Sequence, residues 1–564
     1  MNIFCIFTDQ FKKTTMKKTI TLLLGLALTF TSFAQTVNTG GPVSFTSSKL
    51  SDDSKIEVQV MPVFDLERQL DEDLINQANK VGPFRFGYEH ITNYSLQNSG
   101  TWQTTEEGDK IWRIKFSSPG ALSMNVIFND FFIPNGASVH LYNKETDMVE
   151  GAYTSFNNNA NNMLGSDLIK GESIVVEYFE PSEVAGQGRL LIGMVVHGYV
   201  DINGWYPKKV NESGACNKDV VCWDACGWVD EIRSVARISN GGGLCSGTLM
   251  NNTDEDGTPY FLTANHCGPS SMGSAVFRFN YDSGVCASQS TSSSTQTASN
   301  SINGSSFKAS NAASDFGLLE LNSTPPANYG VYYAGWDNGG ASPQTGVSIH
   351  HPSGDVKKIS FDDDPLTGAQ GLSSVSNSEW RIEAWERNTT TEGGSSGSGL
   401  WDENHHLVGQ LHGGQATCSN SVNDYYGKFS MSWTGNGSAS SSARLSDWLD
   451  PSGSGVTSLD GYDPNGEFET PAFCLTSISE KEKNPNIFFE MYPNPASSNV
   501  TIDLVNGLDD VSVELVDMQG RLISSYSDVK GAFVSIDLSL VSNGVYFIKV
   551  ISEGTIQTEK LIVE

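Results

Sequence analysis

Basic residues are scarce in this chain. Of its 564 residues, 34 are lysine or arginine against 65 aspartates and glutamates, a formal net charge of −31. No long basic stretch interrupts that balance, which argues against recognition of a polyanion by phosphate neutralisation, so no nucleic-acid partner is expected. Charged residues of both signs reach only 18%, while glycine numbers 56. Such a composition suits short strands and many turns better than helical bundles or coiled coils. Cysteine is absent from residues 36–209, whereas residues 216–286 hold six of the nine. Nine cysteines are too few for a small disulfide scaffold but enough for several bridges in an exported enzyme. Past the N-terminal leader, no apolar run is long enough for a membrane helix.

The leader itself is legible. Met16-Lys17-Lys18 supplies positive charge, Leu22 to Phe30 is apolar, and Ser32-Phe33-Ala34 ends in small-residue cleavage chemistry. Residues 1–34 therefore read as a secretory signal peptide, with translation expected to start at Met16.

Four segments follow. Residues 35–209 open with a weakly helical stretch, Phe64 to Ala78. Strand-like runs come next at Ile111–Phe116, Met124–Phe128, Ser138–Tyr142, Ile174–Phe179 and Leu190–Val196, with a turn at Pro134-Asn135-Gly136. They predict a β-sandwich with a helical preface. Residues 210–462 are rich in glycine and serine and end in a short helix near Leu445, Trp448 and Leu449, stopped by Pro451. Residues 463–487 read as a linker. Residues 488–564 alternate again, as in Val511 to Leu515 and Val545 to Val550, and predict a small all-β module.

The chemistry sits in residues 210–462. Ser396 lies in Gly393-Gly394-Ser395-Ser396-Gly397-Ser398-Gly399, where flanking glycines permit the sharp turn that exposes a nucleophilic Oγ. Taken alone, a Gly/Ser stretch is also an ordinary flexible loop. His266 ends the apolar run Tyr260 to Ala264 and neighbours Cys267, which could brace the imidazole as a general base; a satisfied core histidine is the plainer reading. Asp315 opens the apolar run Phe316 to Leu321, where its charge needs a partner such as a histidine N–H. Together they are more specific. The order His, Asp, Ser distinguishes chymotrypsin-like proteases from subtilisins and α/β-hydrolases. The spacing puts His266 and Asp315 in one half of the segment and Ser396 in the other, which suits a cleft between two six-stranded barrels.

These residues and their neighbours resemble bacterial lysyl endopeptidase. The motifs are Cys245 to Leu249, Tyr260 to Cys267, Ser314-Asp315-Phe316, Ile349 to Pro352, Gly394 to Ser398, Gln410 to Gly414 and Ser446 to Pro451. The resemblance implies a trypsin-like double β-barrel, an all-β serine endopeptidase made as a proenzyme and cutting after lysine. It maps nucleophile, base and orienting acid onto Ser396, His266 and Asp315, and the oxyanion donors onto the N–H groups of Gly394 and Ser396. Asp424, in Asp424-Tyr425-Tyr426-Gly427, corresponds to the acid that receives the basic P1 side chain, with His412 on the strand lining that pocket. It further implies the disulfides Cys216–Cys418, Cys222–Cys286 and Cys245–Cys267; Cys226 and Cys474 are then left and expected to pair. Some members carry a tryptophan near the site, but residues 366–374 hold none, which leaves fine specificity and pH profile open. Trypsin's activation aspartate before the nucleophile is replaced by Ser395, so activation by a buried N-terminal ammonium is not expected. Lys208-Lys209 at the composition boundary is the expected self-cleavage site.

The C-terminal segment resembles the sorting domain of type IX secretion substrates through Tyr492 to Ala496, Val516 to Arg521, Asn543 to Phe547 and Lys560 to Val563. It implies passage through the periplasm and outer membrane of a bacterium, then release or surface attachment, with the secretion machinery as partner and membrane contact only during export or attachment. The remaining partners are protein or peptide substrates. No cofactor and no metal are expected: the acidic runs 254–256 and 362–364 lack calcium-loop spacing, and adjacent pairs such as His350-His351 and His405-His406 point to opposite faces of a strand. Two rival readings remain, a protease accepting Arg and Lys alike and a catalytically inactive surface adhesin.

Overall fold

A computed structural model of the chain describes residues 40–46, 52–78, 82–206, 213–284, 286, 300–466, 471, 474, 489–504, 511–518, 520–529, 533–552 and 555–564. The leader, Lys208-Lys209 and nearly all of 467–487 lie outside them. Among the described residues no helix is long and apolar enough to cross a membrane. The chain divides into a large unit ending at Phe473 and a smaller one from Cys474.

The large unit begins with two packed sheets. One has the order Glu57–Val60, Lys110–Ser117, Ser173–Glu180, Ser138–Asn143, Met148–Tyr153; the other runs Ile169–Lys170, Ser123–Phe132, Arg189–Gly198, Gly87–Ser95. Alternation explains the layering: Trp112, Ile114 and Phe116 from the first sheet meet Met124, Val126 and Phe128 from the second in one core. The turn at Pro134 closes with the Ala137 N–H on the Pro134 carbonyl at 3.1 Å. The helical preface forms as Leu66–Ala78.

Two further sheets follow. The first is ordered Ser301–Asn303, Val276–Phe279, Val235–Asn240, Gly243–Met250, Tyr260–Ala264, Phe316–Leu321, Ser305–Asn311. The second is ordered Lys218–Asp219, Lys358–Asp362, Gly346–His350, Gly399–Trp401, Leu407–Gly414, Val422–Lys428, Glu379–Ala384, Thr367–Ala369, with Trp336–Asp337 and Ser458–Leu459 alongside. This is the double-barrel arrangement, with more strands than six each. The additions are edge strands of two or three residues, too short to leave a period-two pattern. The closing helix is Ser446–Leu449; ahead of it, Trp433 packs on the fully buried Trp336 with ring centroids 4.5 Å apart.

One strand of the first barrel sheet comes from elsewhere. Phe84–Arg85, from the leading segment, pairs antiparallel with Gly243 and Leu244. Around it the seam is polar and specific. The Gly242 N–H donates to Glu89 Oε1 at 2.9 Å. Asn303 Nδ2 donates to the Gly165 carbonyl at 2.7 Å, and Arg278 forms a buried ion pair with Asp167.

The structure joins Cys216 to Cys418, Cys222 to Cys286 and Cys245 to Cys267. Cys226 and Cys474 are each disulfide-bonded as well. The smaller unit, by itself, contains a sheet Phe489–Tyr492, Asn499–Leu504, Phe533–Asp537 and a sheet Leu522–Val529, Val511–Asp517, Gly544–Ser552, Thr555–Val563. Val500, Ile502, Val513, Leu515 and Ile548 form its core.

Candidate active site

His266 and Asp315 are neighbours because their strands are neighbours. Tyr260–Ala264 pairs antiparallel with Phe316–Leu321, Ala264 opposite Phe316, so the residues just beyond the pair's end converge. The Asn265 N–H donates to the Asp315 carbonyl at 2.7 Å. Asp315 adopts φ 54°, a left-handed backbone rare for a residue with a side chain and held only by surrounding structure. In that conformation its carboxylate grips His266 twice: Oδ1 accepts from the His266 N–H at 3.0 Å, and Oδ2 meets Nδ1 at 2.7 Å. The Cys245–Cys267 disulfide fixes the adjoining turn. His266 Nε2 is buried and has no hydrogen-bond partner among the described residues.

Ser396 is presented by the turn before Gly399–Trp401. Its carbonyl accepts from the Ser246 N–H of the first barrel at 2.8 Å, and the next residue's N–H donates to the Leu411 carbonyl at 2.9 Å. Gly397 makes the approach possible: at φ 82° a Cβ there would stand 2.3 Å from Thr263 Oγ1 and 2.6 Å from the Ala264 nitrogen. Ser246 ties the turn further, donating to the Gly394 carbonyl and accepting from the His351 N–H, both at 2.9 Å. Ser395 is held by the buried His350, whose Nδ1 lies 2.8 Å from its Oγ; an imidazole thus braces the position where trypsin pairs an aspartate. The N–H groups of Gly394 and Ser396 donate to nothing among the described residues. Two unengaged donors beside a serine hydroxyl can receive the oxygen of a tetrahedral intermediate.

The space beside Ser396 is bordered by Glu392, Gly393, Leu411 and Gly413, and closed over by Asp73, Gln77, Pro83 and Phe84 from the leading segment. A methyl on Gly393 would lie 3.2 Å from the Phe84 ring and 3.6 Å from Gln77. Arg85 beneath them is anchored to Asp73 at 2.6 Å. Glu392 accepts from the Gly214 N–H at 3.1 Å. Sequence reasoning passed it over because an acid four residues before a serine carries no pattern of its own.

Asp424 is fully buried, and its Oδ2 accepts from Trp385 Nε1 at 2.7 Å and from the Thr391 hydroxyl. His412, expected on the strand lining the same pocket, stands on Leu407–Gly414, and its two ring nitrogens face acids. Nδ1 lies 2.5 Å from Glu379 Oε1, Nε2 lies 3.8 Å from Asp315 Oδ2, and the ring stacks toward His266 with centroids 5.8 Å apart. The reason is a β-bulge between Leu411 and Gly413, which turns the residue between them out of register. Glu379 and Asp315 hold the His412 imidazole above its ordinary pKa, against the opposing effect of burial. In the stretch 366–374, a Cβ on Gly371 would stand 2.1 Å from Glu379 Oε2. His266, Asp315 and His412 lie close enough to share a metal ion. Of these atoms, His266 Nδ1 and Asp315 Oδ2 already meet each other at 2.7 Å.

Parts of the chain are similar to known proteins. Residues 210–427 match the family Lysyl endopeptidase, C-terminal domain, and residues 490–564 match the Secretion system C-terminal sorting domain. A lysyl endopeptidase of Pseudomonas aeruginosa is 28% identical over 360 residues, covering 58% of this chain and 75% of that protein. Similar solved structures include a Glu endopeptidase in complex with MPD, at 18% identity, 35% of this chain, 85% of that chain and TM-score 0.24. Another is the MamO protease domain from Magnetospirillum magneticum, at 11% identity, 35% and 93% coverage and TM-score 0.25.

Proposed function

Since residues 210–427 belong to the lysyl endopeptidase family of serine proteases and residues 490–564 are a sorting domain that directs export by type IX secretion to the cell surface or outside it, we propose a proenzyme that hydrolyses peptide bonds after lysine. Its segments are 35–209 as pro-segment, 210–462 as protease, 463–487 as linker and 488–564 as sorting domain. Ser396 Oγ attacks the scissile carbonyl, His266 Nε2 takes its proton and later delivers it to the leaving amine, and Asp315 fixes the imidazole tautomer and stabilises the imidazolium. The Gly394 and Ser396 N–H groups receive the oxyanion. The observation that carries this reading is the double grip of Asp315 on His266, which leaves Nε2 buried and unpartnered.

Lysine preference is supported by Asp424, a fully buried carboxylate in the segment that matches the family. Its Oδ2 is already engaged by an indole and a hydroxyl, and a compact ammonium asks for fewer acceptors than the broad guanidinium fork. The proenzyme state is supported by Phe84 and Gln77 over Gly393, which occupy ground a substrate needs. The test is cleavage-site profiling on a denatured proteome with wild type and Ser396→Ala, together with N-terminal sequencing of the active enzyme. Cleavage after lysine, absent from Ser396→Ala, with a mature N-terminus at Val210 is expected. Equal cutting after arginine would replace the lysyl reading with a trypsin-like one, and activity retained by Ser396→Ala would remove the serine mechanism.

A further inference from the structure

Arg278 is a buried cation whose anionic partner comes from the leading segment. It stands on Val276–Phe279, directly opposite Ser301 of Ser301–Asn303, the outermost strand in the order of the first barrel sheet. The Arg278 guanidinium and the Ser301 hydroxyl both meet Asp167 Oδ2, the hydroxyl at 3.1 Å. Two residues along the same strand, Asn303 Nδ2 donates to the Gly165 carbonyl at 2.7 Å. The segment so held alternates as an extended chain must. Gly165 and Asp167 face the barrel, whereas the Ser166 hydroxyl between them accepts from the Val126 N–H of its own sheet at 3.0 Å. Glycine is what allows the approach: a Cβ on Gly165 would stand 2.1 Å from the Ser274 carbonyl oxygen.

We propose that Arg278, Ser301, Asn303 and the Ser274 carbonyl form a binding site for extended acidic peptide of the pattern Gly-x-Asp, filled in the proenzyme by Gly165-Ser166-Asp167 and open to unfolded protein substrates once that segment leaves. The inference rests on the proenzyme reading of residues 35–209. Its physical content is a charge left behind. Departure of Asp167 strands a guanidinium whose counter-ion was the departing group, a state that an incoming carboxylate relieves by a charge-assisted pair. The donors are held by the barrel itself. The Ser301 carbonyl accepts from the Tyr329 hydroxyl at 3.2 Å, and the Ser305 hydroxyl donates to the Met272 carbonyl at 2.9 Å, in the turn that carries Ser274. A site preformed in this way spends little of its binding energy on ordering itself.

The charges nearby leave this role to a group from outside the barrel. Glu150, the other acid acting on Arg278, also belongs to the leading segment. Burial, with the Asp167 charge adding to it, pushes the Glu150 carboxyl well above its ordinary range, so Asp167 carries the negative charge. On the barrel side, Arg237 is turned to the carbonyls of Ile202 and Gly354 at 3.0 and 2.7 Å. The Tyr281 ring faces both guanidiniums, 4.3 Å from that of Arg237 and 5.9 Å from that of Arg278. Asp282 is engaged by Lys357 at 3.2 Å, and Asp355 by the Ser213 hydroxyl at 2.5 Å. Among the described residues no acid from 210–462 forms an ion pair with Arg278.

The probe is a fluorescent peptide with the sequence Asn161 to Ile169, which contains no lysine to be cut. Its binding to activated enzyme freed of the leading segment, with Ser396 blocked by a small phosphonylating reagent, is read by anisotropy. Saturable binding is expected, weakened about 10-fold or more by Asp167→Asn or Gly165→Leu in the peptide and by Arg278→Gln or Ser301→Ala in the enzyme. With unblocked enzyme, excess peptide should slow cleavage of an unfolded protein substrate that carries Gly-Ser-Asp by about 3-fold or more and leave a small lysyl amide untouched. Equal affinity for the Asp167→Asn peptide, or no saturable binding, overturns the proposal. Competition against the small amide overturns it too, because the peptide then sits in the catalytic cleft. The peptide series on wild-type enzyme decides the matter even if Arg278→Gln does not fold. Failure of the underlying reading looks different: N-terminal sequencing would find residues 35–209 still continuous with the active protease.

Discussion

Asp315 holds His266 by both carboxylate oxygens, one on the backbone N–H at 3.0 Å and one on Nδ1 at 2.7 Å. The first contact fixes where the residue sits and the second fixes which tautomer it adopts. Asp315→Asn keeps an acceptor for the backbone but can present an amide N–H to Nδ1, which forces the proton onto Nε2, the atom that must act as base. We expect kcat/KM to fall by about 10⁴ at neutral pH with the melting temperature little changed. A peptide assay with a parallel thermal melt checks it; a loss under tenfold would show that Asp315 does not orient the base.

Asp424 offers a test of specificity that leaves the chemistry alone. Asp424→Asn removes the charge proposed to face a substrate lysine and is expected to cost about 2–5 kcal/mol in kcat/KM for lysyl substrates. Reaction with a small acylating reagent that leaves the pocket empty should stay near wild type. Unchanged lysyl cleavage would mean that another acid, Glu392 beside Ser396 being the nearest candidate, receives the substrate.

Gly397 is a steric hinge between the barrels. Gly397→Ala places a methyl within 2.6 Å of the Ala264 nitrogen at a backbone angle that L-residues avoid. The expected loss is about 1–3 kcal/mol of stability, read as a lowered denaturation midpoint, with activity falling because the Ser396 turn must retreat from the His266 side. A variant as stable and active as wild type would show that the turn has slack the geometry does not suggest.

Asp362 makes stability depend on pH. Burial, with Glu386, Asp364 and Asp363 adding repulsion, pushes its carboxyl up to about 7. The folded chain keeps a proton that the unfolded chain has lost above about pH 4. Stability contributed by this group is therefore complete below that point and is lost as pH rises toward 7. Asp362→Asn should flatten that decline and stabilise the protein by about 1–3 kcal/mol at pH 8. Denaturant unfolding at pH 5 and pH 8 decides it, and an unchanged pH dependence would place the proton elsewhere.

Much of this architecture can be read from the residues. Ile111–Phe116 falls inside the strand Lys110–Ser117, and Leu190–Val196 inside Arg189–Gly198, because a run of six or more residues rich in β-branched, aromatic and other apolar side chains leaves a trace in the sequence. Lys218–Asp219 and Thr367–Ala369 leave none, being too short to alternate. The meeting of His266 and Asp315 was legible because each ends or opens an apolar run that must pair. The orientation of His412 was not. A bulge is decided by the partner strand, so the approach of His412 Nε2 to Asp315 at 3.8 Å left no trace in the sequence. Glu379 was invisible for the same reason: an acid before a tryptophan in an ordinary strand has no signature until its partner is known.

The antiparallel pairing of Phe84–Arg85 with Gly243 and Leu244 bears on how activity is timed. Severing one bond after Lys209 breaks none of the hydrogen bonds in that seam, nor the buried contact between Asp167 and Arg278. On the proposed proenzyme reading, a nicked molecule would remain a two-piece complex held by these contacts, with the leading piece still over the cleft. What frees the cleft is then departure of that piece, through digestion or through escape into a larger volume.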